Sequence, residues 1–165
     1  MQHVQTRSTT SALVLTAVLI ALATLFTMYT KIPVPGIRGY FNVGDVVIMT
    51  SALLLGQKYG AYIGAIGPAL ADLFLGYAVF VPITFVVKGI EGYLVGTVYN
   101  NKTTTSALAA TILGGIIIVA GYFIAEYFVF DPGVAIASIL TNTIQAVMSV
   151  IVSMILYAIL RKRLG

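Results

Sequence analysis

Apolar positions in this chain come in long blocks rather than at a helical or strand period. Six apolar runs, at 11–29, 43–56, 61–76, 82–99, 105–130 and 134–161, are separated by short breaks. A helix of about 20 apolar residues spans the roughly 30 Å hydrocarbon core of a bilayer. The pattern therefore predicts an all-α integral membrane bundle of six transmembrane helices, forming one domain over 1–165. The breaks carry turn chemistry. Residues 30–42 hold Pro33, Pro35, Gly36 and Gly39, which forbid a regular helix there. Gly56-Gln57-Lys58-Tyr59-Gly60 reads as a turn, 76–82 as an uncharged break, and Asp131-Pro132-Gly133 as a turn. The second run is the shortest and begins near Asp45, so a re-entrant segment or a tilted, embedded helix is its alternative reading. Ala21-Leu22-Ala23 has the small-x-small form of a signal cleavage site, but five further spans follow it.

Composition agrees with the blocks. The apolar fraction is 59% and the charged fraction 8%, a balance that no soluble chain of 165 residues could keep out of water. There is no cysteine, and the one histidine, His3, lies in the polar N-terminal tail. Thiolate metal sites, disulfides and cysteine nucleophiles are thereby excluded, and histidine-based catalysis has almost nothing to build on. No Gly-x-x-x-x-Gly-Lys-Ser/Thr loop occurs, so ATP is not bound by a P-loop in this chain. The net charge of +4 does not point to nucleic acid, because Arg161, Lys162 and Arg163 cluster at the C-terminal end of the last run. With six spans and both termini cytoplasmic, the inner segments hold Arg7, Lys58, Lys102, Arg161, Lys162 and Arg163, and the outer ones only Lys31 and Arg38. That distribution obeys the positive-inside rule and predicts a multi-pass protein of the cell membrane.

Ionisable groups inside hydrocarbon cost several kcal/mol, so they face cavities or partners. Here they are Asp45, Asp72, Lys88, Glu91 and Glu126, joined by Asn142 and Gln145. On the six-span topology every one falls in the outer half, which predicts one cavity open to the outside. Lys88 and Glu91 share a helix face, as do Asn142 and Gln145. Lys88–Glu91 could equally be a self-satisfied ion pair, and Asn142 with Gln145 could serve interhelical hydrogen bonding. Asp45 could be a helix cap, and Tyr122 with Glu126 interfacial anchors. Tyr40, Phe41 and Tyr77 lie in or beside the outer breaks, as a planar ligand or an ordinary tyrosine belt would require. The segment 30–42 would make a lid. Small residues recur at four-residue spacing: Ala17 and Ala21, Gly60 and Gly64, Gly92 and Gly96. Such faces let helices approach closely, mostly within the bundle.

Three stretches resemble a known family: residues 39–48 (GYFNVGDVVI), 69–77 (ALADLFLGY) and 82–92 (PITFVVKGIEG). They are similar to the substrate-binding S components of energy-coupling factor (ECF) transporters, nearest to the riboflavin-type group. Gly121-Tyr122-Phe123, Glu126, Asn142 and Gln145 fit the same pattern. The resemblance covers about residues 10–162. It implies six helices that capture a vitamin or precursor from outside, with hydroxymethylpyrimidine or pyridoxine favoured and riboflavin next. The absence of Trp counts against thiamin. It implies a pocket formed by Tyr40, Asn42, Asp45, Asp72, Tyr77, Lys88, Glu91, Tyr122, Asn142 and Gln145. It implies docking through Ala17 and Ala21 onto a transmembrane coupling subunit with two ATPases, which use the ATP; this chain itself needs no cofactor. Replacing Lys88 or Glu91 by alanine is then expected to abolish binding while the protein stays folded. The competing classes are a stand-alone carrier or channel, which needs polar groups along the whole axis, and a small intramembrane enzyme, which needs an acid–base pair such as Asp72 with Glu91.

Overall fold

The structure, a computed structural model, describes residues 9–33, 40–99 and 103–164. Arg7, Arg38 and Lys102, which enter the charge count, and the middle of the proposed lid lie outside the described residues. The apolar runs fold as α1 (Thr9–Tyr29), α2 (Asp45–Leu55), α3 (Gln57–Phe74), α4 (Phe80–Val98), α5 (Thr104–Val129) and α6 (Pro132–Leu164). Between α1 and α2 the chain makes two-residue strands, β1 (Ile32–Pro33) and β2 (Tyr40–Phe41). They pair antiparallel, with Ile32 opposite Phe41 and Pro33 opposite Tyr40. This ribbon is the one departure from an all-α reading among the described residues.

Helices α1, α4, α5 and α6 are long and apolar enough to cross a membrane. Their large apolar side chains face outwards: Leu13, Val14, Phe85, Ile116, Phe128 and Leu140 are all at least half exposed. In water such a surface would be unfavourable by about 25 cal/mol per Å². Against lipid tails it costs nothing, so the bundle is embedded in a membrane with at least four spanning helices.

Helix α2 differs. Its 11 residues rise only about 16 Å, half of the hydrocarbon core. Every residue from Asp45 to Leu53 is buried. The run is apolar because protein surrounds it, by α3, α4 and α6. A single residue, Gly56, at φ +92°, joins α2 to α3. The turn anticipated over 56–60 shrinks to this glycine, and Gln57–Gly60 is helical instead. The cause is a backbone-close crossing of α3 and α4. A Cβ on Gly60 would stand 2.5 Å from the Gly92 carbonyl oxygen, and one on Gly64 would collide with the carbonyl of Lys88. The glycine pairs of α3 and α4 thus face each other, and they set where Lys88 sits.

Helix α1 packs on α3 through Ala23, fully buried, and through Thr24, whose hydroxyl donates to the Gly67 carbonyl at 2.9 Å. Ala17 and Ala21 lie on the other, exposed side of α1. Helix α4 starts two residues before the predicted limit. Pro82 falls in its first turn, where a missing N–H breaks no helical bond. Helix α6, 33 residues and about 50 Å long, outreaches the hydrocarbon core. An apolar cluster of Met49, Ala52, Leu53, Val95, Ala107, Ala110 and Ile118 fills the middle of the bundle.

Candidate ligand-binding site

The buried charges gather at the end of the bundle that carries the β ribbon. Asp45 opens α2, but Gly44 is the cap residue and no side chain caps the helix. Asp45 is used elsewhere. One of its oxygens accepts from Lys88 Nζ, and the other accepts from Gln145 Nε2 at 2.7 Å. Gln145 Oε1 in turn accepts from the Asn42 backbone N–H at 3.0 Å. Asn42 Oδ1 takes the Gly44 N–H at 2.9 Å, closing the tight turn into α2. One glutamine therefore ties the ribbon, α2 and α6 together.

Lys88 is 1% exposed and serves two carboxylates. Its second partner, Glu91 on the next turn, lies 3.5 Å away and is fully buried. The anticipated Lys88–Glu91 pair is thus a triad, in which the closer carboxylate comes from another helix. Removing a charge from the interior of such a cluster leaves its partner uncompensated, which is the strongly destabilising case. On the other side of Lys88, its ammonium stands 5.4 Å from the centre of the Tyr122 ring, within cation–π range. Tyr122 and Thr84 hydroxyls hydrogen-bond at 2.9 Å.

The ribbon closes over this cluster. Tyr40 donates its phenolic hydrogen to Asp72 at 2.6 Å. Burial, and then the adjacent Asp72 carboxylate, push the Tyr40 phenol well up, so it remains a donor at any physiological pH. The Tyr40 ring packs on Tyr77 at 5.0 Å, and Lys31 Nζ stands 5.0 Å from the Tyr77 ring centre. The Val43 N–H is held by Thr30 at 3.0 Å.

Beneath the ribbon lies a cavity with about 550 Å³ of space between atoms, its open mouth included. The cavity is partly open, a slot rather than an enclosed chamber. Of the residues singled out from sequence, Tyr40, Asn42, Asp72, Lys88, Tyr122, Asn142 and Gln145 line it. Asp45 and Glu91 stand behind Lys88, and Tyr77 stands outside, stacked on Tyr40; none of these three is in the wall. The wall also contains Thr27, Thr84, Phe80, Ser138 and Thr141, which the sequence reading did not single out, and Glu126, which it left between anchor and site. The spacing of Ser138 from Asn142 and Gln145, 4 and 7 residues along α6, was the available signal. Ser138 donates to Glu126, which joins α6 to α5. Two wall atoms, Asn142 Nδ2 and Thr27 Oγ1, are buried without a hydrogen-bond partner in the protein. Unpaired buried donors of this kind mark places where a ligand bonds. No cluster of three or more metal-ligating side chains occurs among the described residues.

Residues 7–162 match the protein family described as the S component of ECF-type riboflavin transporters. The chain belongs to this family. It is a substrate-binding S component, a transport subunit for a small vitamin or vitamin precursor. The chain is 41% identical to an uncharacterized protein of Pyrococcus woesei, over 86% of its own length and 96% of that protein. It is 28% identical to the thiamine precursor transporter HmpT of Lactococcus lactis, over 89% of its length and 83% of that protein. A solved structure of the S component of a bacterial ECF transporter superposes with a TM-score of 0.75 at 22% identity, covering 93% of this chain and 96% of that one. This likeness establishes that the S component shares its fold with the solved one.

Proposed function

We propose that this S component captures a small vitamin or vitamin precursor from outside the cell, with the single-ring compounds hydroxymethylpyrimidine or pyridoxine favoured and riboflavin next. It hands the ligand to a membrane coupling subunit whose two ATPases drive uptake. The observation that carries the reading is the slot itself. It is walled by Tyr40, Phe80 and Tyr122, and supplied with a few fixed polar groups, which is how planar ligands are held. The thiamine precursor transporter of L. lactis, over most of this chain's length, supports the same class.

In the membrane arrangement we propose, both termini are cytoplasmic and the chain passes six times, α2 and α3 forming a buried hairpin. The ribbon and slot then face outwards. None of the apolar cluster around Met49, Val95 and Ile118 is in the slot wall, and this cluster would close the bundle beneath the slot in that arrangement. A floored slot supports a binder rather than a channel. Proximal contacts to ligand come from Tyr40, Asn42, Asp72, Lys88, Tyr122, Asn142 and Gln145, while Asp45, Glu91 and Tyr77 hold them in place. Ala17 and Ala21 offer the coupling subunit a smooth exposed face on α1.

Mass spectrometry of small molecules retained by the purified protein tests this directly. A retained pyrimidine or pyridine with submicromolar affinity in equilibrium dialysis is expected. Retention of flavin alone would overturn the ligand assignment, and solute flux through the isolated protein in liposomes would overturn the role.

A further inference from the structure

The slot has an unbalanced charge inventory. Among the described residues its one cation is Lys88, which is already shared by Asp45 and Glu91. The wall carries two further carboxylates, Asp72 on α3 and Glu126 on α5. Neither has a lysine, arginine or histidine within ion-pair distance among the described residues. Each is only 3% exposed; Asp72 receives neutral hydroxyls from Tyr40 and Thr84, and Glu126 one from Ser138. A hydroxyl does not balance a carboxylate in a low-dielectric site, so such groups are retained where a cation or strong donor meets them. A second, independent feature marks the same cavity as a ligand site. Thr27, 1% exposed, places in the wall a hydroxyl oxygen with no partner in the protein.

We propose that the ligand is recognised through an amino or protonated nitrogen held between Asp72 and Glu126, and that phosphorylated forms are rejected. This deepens the reading above and rests on the slot being the ligand site. The carboxylates accept from the nitrogen, while Thr27 and Asn142 serve the oxygen substituents of the ring. A phosphate would bring negative charge beside two carboxylates, in a wall whose one ammonium among the described residues is already engaged. Oxygen-for-nitrogen exchange on the same ring removes the positive charge, or the second N–H, with which one nitrogen can serve both carboxylates.

The test is equilibrium binding to the purified full chain in detergent, with two matched pairs of probes. Pyridoxamine is compared with pyridoxine, and hydroxymethylpyrimidine with its analogue bearing oxygen in place of the amino group. Pyridoxamine phosphate and hydroxymethylpyrimidine phosphate are added as anionic members. The amino member of a bound pair is expected to bind about tenfold tighter or better, the loss expected for a charge-assisted hydrogen bond. The phosphates are expected not to bind. The preference should shrink to less than about threefold in Glu126→Gln or Asp72→Asn, each checked for an unchanged elution profile and melting midpoint, whatever the change in overall affinity. Equal binding within the pairs, binding of a phosphate, or a preference that survives both variants overturns the inference. If no probe binds, the retained small molecule decides. A basic nitrogen compound that is not a vitamin precursor upholds this inference and overturns the proposed function. A retained compound without such a nitrogen, or none at all, overturns the inference.

Discussion

Lys88 and Asn142 illustrate two ways in which a polar residue is used inside this membrane protein. Lys88 has its hydrogen-bonding and charge needs met by Asp45 and Glu91. Lys88→Met would leave two buried carboxylates with no cation, and a loss of about 3–5 kcal/mol is expected. It should show as a clear fall in melting midpoint in detergent, so lost binding in this variant, or in Lys88→Ala, says little about contact with ligand. A melting curve superimposable on the wild type would mean that the triad does not form. Asn142 is the reverse case, because its Nδ2 finds no partner in the protein. Asn142→Ala should leave the melting midpoint within error and weaken ligand binding about three- to tenfold, the worth of a neutral hydrogen bond. Full affinity in this variant would place the ligand away from α6. Tyr40 lies between the two cases. Its bond to Asp72 fastens the ribbon, so Tyr40→Phe should speed ligand release about tenfold while leaving association nearly unchanged. Stopped-flow traces with an unaltered dissociation phase would remove Tyr40 from the closure.

Helix limits were legible because a lipid-facing helix and its breaks differ in composition residue by residue. The runs at 11–29, 82–99, 105–130 and 134–161 end within a few residues of α1, α4, α5 and α6. What the run lengths did not carry is the depth of α2, since a helix buried in protein and one facing lipid are equally apolar. The partners of the charges were also hidden. Three-residue spacing pointed from Lys88 to Glu91, but the closer carboxylate, Asp45, is 43 residues away on another helix. Tyr40 and Asp72 meet across 32 residues, and Asn42 and Gln145 across 103. Such contacts follow from how α3 and α4 cross, and the crossing is set by glycines. Gly64→Val makes the dependence measurable. Its branched side chain would collide with the Lys88 carbonyl and push α4 away, a strain of about 1–3 kcal/mol or more. Both stability and ligand affinity should fall, although Gly64 is not in the slot wall. Valine at Ile63, one residue earlier, is the volume control and should cost about 0.5–1.5 kcal/mol without a comparable loss of affinity. Equal effects of the two variants on affinity would mean that the crossing does not position Lys88.

At the scale of the whole molecule the two faces of α1 divide two tasks. Ala23 and Thr24 hold α1 against α3, whereas Ala17 and Ala21 project from the bundle with Leu13, Val14 and Val18 around them. Nothing inside the protein needs Ala17 or Ala21 to be small. Lipid alone does not need it either, because acyl chains accommodate leucine or phenylalanine as readily as alanine. A smooth strip is useful to another helix that must come close, since membrane helices associate by backbone proximity and packing rather than by the hydrophobic effect. The double variant Ala17→Trp/Ala21→Trp is therefore expected to separate capture from delivery. Ligand affinity and melting midpoint should match the wild type, because the new rings point into lipid, on the side of α1 away from Thr27, its residue in the slot wall. Co-purification with the coupling subunit and its ATPases should be lost, and uptake by cells with it. Retained co-purification with both rings in place would move the docking surface to another face of the bundle. Loss of ligand binding along with docking would mean that a change on the lipid face of α1 reaches the slot wall through Thr27, about one and two-thirds turns beyond Ala21.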